Sequence, residues 1–231
     1  MIMDDRYYDN LQRVNTGYGK PRFSRREVRD IVISVVVLAL AFTILYRNSE
    51  FLLAFFRYHM GNEMKYVGLF GLSIVLVVVS FLFHEFGHKF VAQKFGLWSE
   101  FRMWPAGLAL TLITSLFGFL FASPGAVVIS GNVDNERNGK ISIAGPMVNM
   151  VLAAIGIVGC VLTNGTPWVI LFYLLGNLNA FLALFNMLPI PPLDGSKILP
   201  WRIEVWIAGI AIAGIEVYAM MFGLGDLYYY L

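Results

Sequence analysis

Residues 66–95 read YVGLFGLSIVLVVVSFLFHEFGHKFVAQKF, an uncharged run from Tyr66 to Phe83 that passes directly into His84, Glu85, His88 and Lys89. A stretch this long and apolar spans a bilayer as a helix. No helix breaker precedes Gly96, so the spacing predicts one helix continuing to Phe95. The ionisable residues then sit within or at the edge of the membrane. A charged side chain there costs roughly 2.5–3.5 kcal/mol on insertion scales, and such residues mark function by default.

The rest of the chain fits this setting. Of 231 residues, 58% are apolar and 14% charged, with a mean hydropathy of +0.68, well above the norms of a soluble domain. This composition excludes a disordered chain, a collagen-like fibre, a disulfide scaffold and a soluble two-domain enzyme. A net charge of only +2 without one long basic surface argues against nucleic acid as a partner. The single cysteine, Cys160, cannot form an internal disulfide and reads as a small packing residue.

Further apolar runs give about five transmembrane helices: Ile31–Tyr46, the 66–95 helix, Ile141–Thr163, Trp168 to about Leu188, and Ile203–Phe222. Phe51–Tyr58 is a shorter apolar piece, either interfacial or a continuation of the first span. Met103–Val133 carries no charge, yet Pro105, Gly107, Pro124, Gly125 and Gly131 interrupt it too often for one regular helix. It is expected to be re-entrant or hairpin-like, with strand character at Ala126–Ile129 and a polar turn at Asn132–Lys140. The fold class is therefore an all-α polytopic membrane protein with a re-entrant or β-hairpin segment between helices 2 and 3. Residues 1–30 form an N-terminal segment rich in Lys and Arg, including Lys20, Arg22, Arg25, Arg26 and Arg29. Such residues tend to stay cytoplasmic, which places the N-terminus in the cytosol. Residues 31–231 form a single membrane-embedded domain, with its core at about 66–199.

Two of the three histidines lie in His84-Glu85-Phe86-Gly87-His88. Residues four apart on a helix differ by about 40° in direction and about 6 Å in height, so His84 and His88 share a face and can share a metal. Glu85 points about 100° away from His84, within reach of a water at that metal without being a ligand. Two neutral nitrogens to hold zinc and a carboxylate to accept a proton are what metal-assisted hydrolysis needs.

A catalytic zinc site requires a third protein ligand. Acidic candidates are Glu50, Glu63, Glu100, Asp134, Glu136, Asp194, Glu204, Glu216 and Asp226. Asp194 stands out because Pro189, Pro191 and Pro192 force a non-helical exit from the fourth span just before it. Broken helices at membrane depth are tolerated where they line a site. An ordinary Asp-Gly turn closing the span explains the same local sequence. With a cytosolic N-terminus, the second and fourth spans deliver His84, His88 and Asp194 to the same cytoplasmic half, provided Met103–Val133 enters and leaves on one side.

His84-Glu85-Phe86-Gly87-His88, Ala144-Gly145-Pro146-Met147-Val148-Asn149 and Asn186 through Asp194-Gly195 appear in that order. In these motifs the chain resembles the site-2 protease family of intramembrane zinc metalloproteases, over roughly Tyr66–Leu199. The resemblance implies His84, His88 and Asp194 as zinc ligands and Glu85 as general base. It also implies that Asn186 helps hold substrate or the developing oxyanion, and that Asn149 is the polar position of the middle helix. The chain departs from the family at Ser196, where a second glycine is common, and in lacking an insert large enough for a PDZ or CBS domain.

The implied activity is hydrolysis of peptide bonds within or near transmembrane segments of membrane-protein substrates, in the lipid bilayer. A helical substrate must unwind to expose its amides, and the strand-like 123–130 piece is suited to receive it by strand addition. Two alternatives remain open on the residues alone. One is another membrane zincin with Glu204 or Glu216 as third ligand; the other is a non-hydrolytic membrane metal-binding or transport protein. Glu216, inside the last span, is an unassigned ionisable group. Lys89 and Gln93 read as lining water access or marking a solvated helix end.

Overall fold

Capping side chains set where the helices begin. In a computed structural model describing residues 23–122 and 124–224, the Ser24 side chain accepts the Glu27 N–H at 3.1 Å and starts helix α1, Arg25–Tyr46. Ser49 caps α2, Glu50–Met60, which ends at Gly61 with φ +83°. Helix α3 runs Lys65–Lys94 and contains a π-helical turn at Val78–Leu82. There follow β1 (Trp98–Met103), α4 (Pro105–Leu116), β2 (Gly125–Ser130), α5 (Asn135–Leu162), α6 (Val169–Asn186), α7 (Gly195–Trp201) and α8 (Ile203–Gly223). Lys20, Arg22, Ser123, Asp226 and the Tyr228–Tyr230 tail lie outside the described residues.

The protein is an all-α polytopic membrane protein with one small sheet. Five helices, α1, α3, α5, α6 and α8, are long and apolar enough to cross a membrane. Their outward faces, such as Val151, Ile155, Val158 and Leu162 of α5, stay exposed and apolar, as lipid contact requires. Inside the bundle, small residues let backbones meet. A Cβ added at Gly156 of α5 would lie 2.3 Å from Gly176 Cα of α6, so these two spans pack backbone to backbone. The short α2 is not a continuation of α1. It folds back, and Leu52, Leu53 and Phe56 pack with Leu69 and Leu76 of α3 and Ile170 and Leu174 of α6.

The 103–133 region is a hairpin closed by a sheet. Strands β1 and β2 pair antiparallel from Trp98 opposite Ser130 to Met103 opposite Gly125, with α4 inserted between them. The chain thus leaves this region beside the point where it entered, so α3 ends and α5 begins on one side. β1 was not foreseen. Its alternation was present, with Ser99 and Phe101 buried, but Glu100 and Arg102 hide it in a hydropathy profile.

The expected polar turn at Asn132–Lys140 is corrected. Asp134 accepts the Arg137 N–H at 2.7 Å, and the polar run from Asn135 onward forms the first turns of α5. A cap followed by acidic Glu136 favours helix, even though the Asn and Gly content suggests a turn.

Candidate metal centre

The π turn at Val78–Leu82 immediately precedes His84 on α3. Such turns leave backbone carbonyls free for other partners. Here the Ser80 carbonyl accepts Asn149 Nδ2 of α5 at 2.9 Å. The same Nδ2 donates to Asn179 Oδ1 of α6 at 2.7 Å, and Asn179 Nδ2 donates to Ser80 Oγ at 2.8 Å. Both N–H groups of Asn149 are thus committed, which turns its Oδ1 to His84 Nδ1. His88 Nδ1 faces the Ile141 carbonyl at 2.8 Å. Each imidazole therefore donates from Nδ1, leaving its Nε2 lone pair aimed inward.

The two Nε2 atoms lie 3.1 Å apart. Asp194 Oδ2 is 3.5 Å from His84 Nε2 and 3.1 Å from His88 Nε2. A tetrahedral site with bonds of about 2.0–2.1 Å spaces its donors about 3.3 Å apart, so these separations fit zinc. Three ligand atoms converging at this spacing can hold one metal ion at their centre. All three residues are buried, and they are the described His, Cys, Asp or Glu residues that form such a group.

Glycines make the approach of α3 and α5 close enough. A Cβ on Gly145 would sit 2.3 Å from His88 Nε2 and 2.7 Å from His84 Cε1, so both rings rest against bare backbone. Gly87 meets the Ala144 carbonyl in the same way, at 2.8 Å. Asp194 reaches the site from the loop after α6. Met187 ends that helix, and its carbonyl accepts Trp206 Nε1 of α8 at 2.8 Å, which ties the loop to the last span.

Glu85 is buried beside the triad, and its Oε2 accepts the Val127 N–H of β2 at 3.0 Å. Asn186 does not join the cluster through any hydrogen bond that its amide makes within the structure; its Nδ2 donates to the Leu182 carbonyl at 2.9 Å. Glu204 is exposed, and Glu216 is buried with Oε2 unpartnered among the described residues; neither joins the metal group. Lys89 is not at a solvated end. It is fully buried and bonded to Glu27 at 2.8 and 2.9 Å, because an apolar bundle accepts an ammonium only with a countercharge. Asn179, Ser80 and Glu27 escaped the sequence reading, since single polar residues in apolar helices carry no spacing signal.

The polar chain through Asn149 yields a prediction. Asn149→Leu, which leaves the His84 ring without its acceptor, is expected to weaken zinc affinity about 10–100-fold in a chelator-competition titration. Unchanged affinity would remove Asn149 from the site.

Among known proteins, the chain is 41% identical over 206 residues to the candidate zinc metalloprotease MJ0611 of Methanocaldococcus jannaschii, covering 86% of this chain and 97% of that protein. It is 34% identical over 173 residues to the candidate zinc metalloprotease YwhC of Bacillus subtilis, covering 62% of this chain and 72% of that protein. A further relative, zinc metalloprotease MJ0392 of Methanocaldococcus jannaschii, is 32% identical over 147 residues, about 35% of its length. No protein-family model matches the chain, and no solved structure matches it. With relatives so named and three donors so placed, the cofactor is zinc.

Proposed function

Since the chain belongs to the site-2 protease family of zinc metalloproteases, we propose that it hydrolyses peptide bonds within or next to transmembrane segments of membrane-protein substrates. His84, His88 and Asp194 hold the metal, and Glu85 is the general base. The observation that carries this reading is the convergence of three buried donors beside the buried Glu85 carboxylate, inside a membrane-spanning bundle. Neither Glu204 nor Glu216 joins that group, which argues against a zincin with a glutamate as third ligand.

Zinc at this site supplies Lewis acidity, which makes water nucleophilic near neutral pH and polarises a carbonyl. Glu85 takes the proton of the attacking water and passes it to the leaving amine. The Val127 N–H orients that carboxylate until substrate arrives. Asn186 turns its amide from the Leu182 carbonyl toward the substrate backbone or oxyanion. The basic residues of α1, Arg25, Arg26 and Arg29, favour a cytosolic N-terminus. The site then lies in the cytoplasmic half of the bilayer.

A transmembrane helix hides its amides in its own hydrogen bonds, so the substrate must unwind and find replacements. In an antiparallel pair, alternate residues turn their N–H and C=O groups away from the partner strand. Phe101 and Val127 stand opposite one another, and both N–H groups point outward, to Glu27 and Glu85. The outer edge of β2 therefore runs along Glu85, and an extended substrate adds there.

The register also decides which substitution tests strand addition. Ala126 and Val128 turn their backbone groups toward β1, so proline there would damage the hairpin itself. Val127→Pro removes an edge donor. It is expected to lower cleavage of a transmembrane peptide about tenfold, on the scale of one backbone hydrogen bond plus local distortion, with zinc content unchanged. Cleavage at the wild-type rate would rule out strand addition at this edge. The activity itself is tested by incubating the zinc-loaded protein in detergent with a transmembrane peptide and mapping fragments by mass spectrometry. Cuts inside or beside the apolar segment, abolished by chelation and restored by zinc, are expected; a lack of cutting under all conditions would refute the proposal.

A further inference from the structure

Glu27 and Lys89 are both completely buried, and the sequence motifs assign neither. They join three elements. Lys89, the residue after His88, donates to both Glu27 oxygens and to the Ser99 carbonyl of β1 at 2.9 Å. Ser99 Oγ returns a bond to the Lys89 carbonyl at 3.2 Å, and Glu27 Oε1 of α1 accepts the Phe101 N–H at 2.9 Å. Ser99 and Phe101 are successive outward-facing residues of β1, so its outer edge is occupied by this ion pair. A buried pair of this kind adds little to stability compared with apolar residues of similar size, and fixing geometry is the gain that such a pair offers.

The geometry points to a positioning role, one that rests on the proteolytic reading above: we propose that the Glu27–Lys89 pair closes the β1 edge and fixes the height of β2 against Glu85. The ribbon is held at a single rung by two carboxylates. Glu27 holds Phe101, and Glu85 holds Val127 directly opposite. The Glu27 end is permanent, because its carboxylate is neutralised by Lys89 and out of reach of solvent. The Glu85 end yields its Val127 N–H to an incoming peptide backbone. An extended peptide can thus pair only with β2, at the register in which its backbone passes the metal ligands. Glu27 and Lys89 touch neither substrate nor metal and act through the strands.

The test is the double variant Glu27→Met with Lys89→Met, which replaces the pair by apolar side chains of similar length. It is compared with wild type as zinc-loaded protein in detergent. Hydrogen exchange of the 98–103 and 125–130 amides is expected to quicken at least tenfold, while α5 exchange and zinc content stay at wild-type values. In turnover of a transmembrane peptide, kcat is expected to fall about tenfold with little change in KM. Wild-type exchange in both strands would overturn the proposal. A second measurement needs no variant: the wild-type Phe101 amide should exchange at least tenfold more slowly than an unstructured amide, and exchange at the unstructured rate would also overturn it. The exchange readings stand apart from catalysis. A wild-type protein that cuts nothing refutes the protease reading, whereas a cutting enzyme with unaltered strands in the double variant refutes only the clamp.

Discussion

Glu85→Gln is expected to bind zinc one to one, like wild type, and to lose about 10²–10⁴-fold in kcat, the usual contribution of a positioned general base. The amide has nearly the shape of the carboxylate, and its Oε1 can still accept the Val127 N–H. What disappears is the ability to accept a proton from water. Metal retention follows because Glu85 is not one of the three converging donors. The same variant separates an enzyme from a metal carrier, since a carrier would keep both binding and transport. Turnover within about twofold of wild type would remove Glu85 from the mechanism.

Asp194→Ala, in contrast, is expected to lose both bound zinc and activity. Two imidazole nitrogens 3.1 Å apart then remain without the carboxylate that completes the set. Zinc sites rely on three protein ligands even where catalysis keeps one position open. The matched controls Glu204→Gln and Glu216→Gln should retain one zinc per chain, because neither side chain is part of the group. Metal analysis of the wild type and these three variants decides the point. Zinc loss in Glu216→Gln with retention in Asp194→Ala would favour the zincin alternative with a glutamate ligand.

The spans were readable because their physics is one-dimensional. Apolar runs of about bilayer length announce α1, α3, α5, α6 and α8, and paired histidines four apart on one of them announce a metal. Asp194 was harder to read, since an Asp-Gly after prolines is most simply a turn. Only its convergence with two distant side chains separates ligand from turn. The polar chain Ser80, Asn149, Asn179 and the buried pair Glu27–Lys89 were out of reach, because each depends on contacts between residues 30 to 99 positions apart. Lys89 shows the limit well. A lysine near a helix end reads as solvated until α1 is seen to bring it a carboxylate. β1 was missed for a related reason: its burial alternates, but charged residues occupy the other face.

The whole account turns on one cation held by His84, His88 and Asp194. The most direct measurement is a crystal structure of the zinc-loaded protein with anomalous data on both sides of the zinc edge. A single strong anomalous peak bonded to His84 Nε2, His88 Nε2 and an Asp194 carboxylate oxygen, at about 2.0–2.2 Å from each, is the predicted result. A zinc peak elsewhere, or one bonded to Glu204 or Glu216 in place of Asp194, would contradict it.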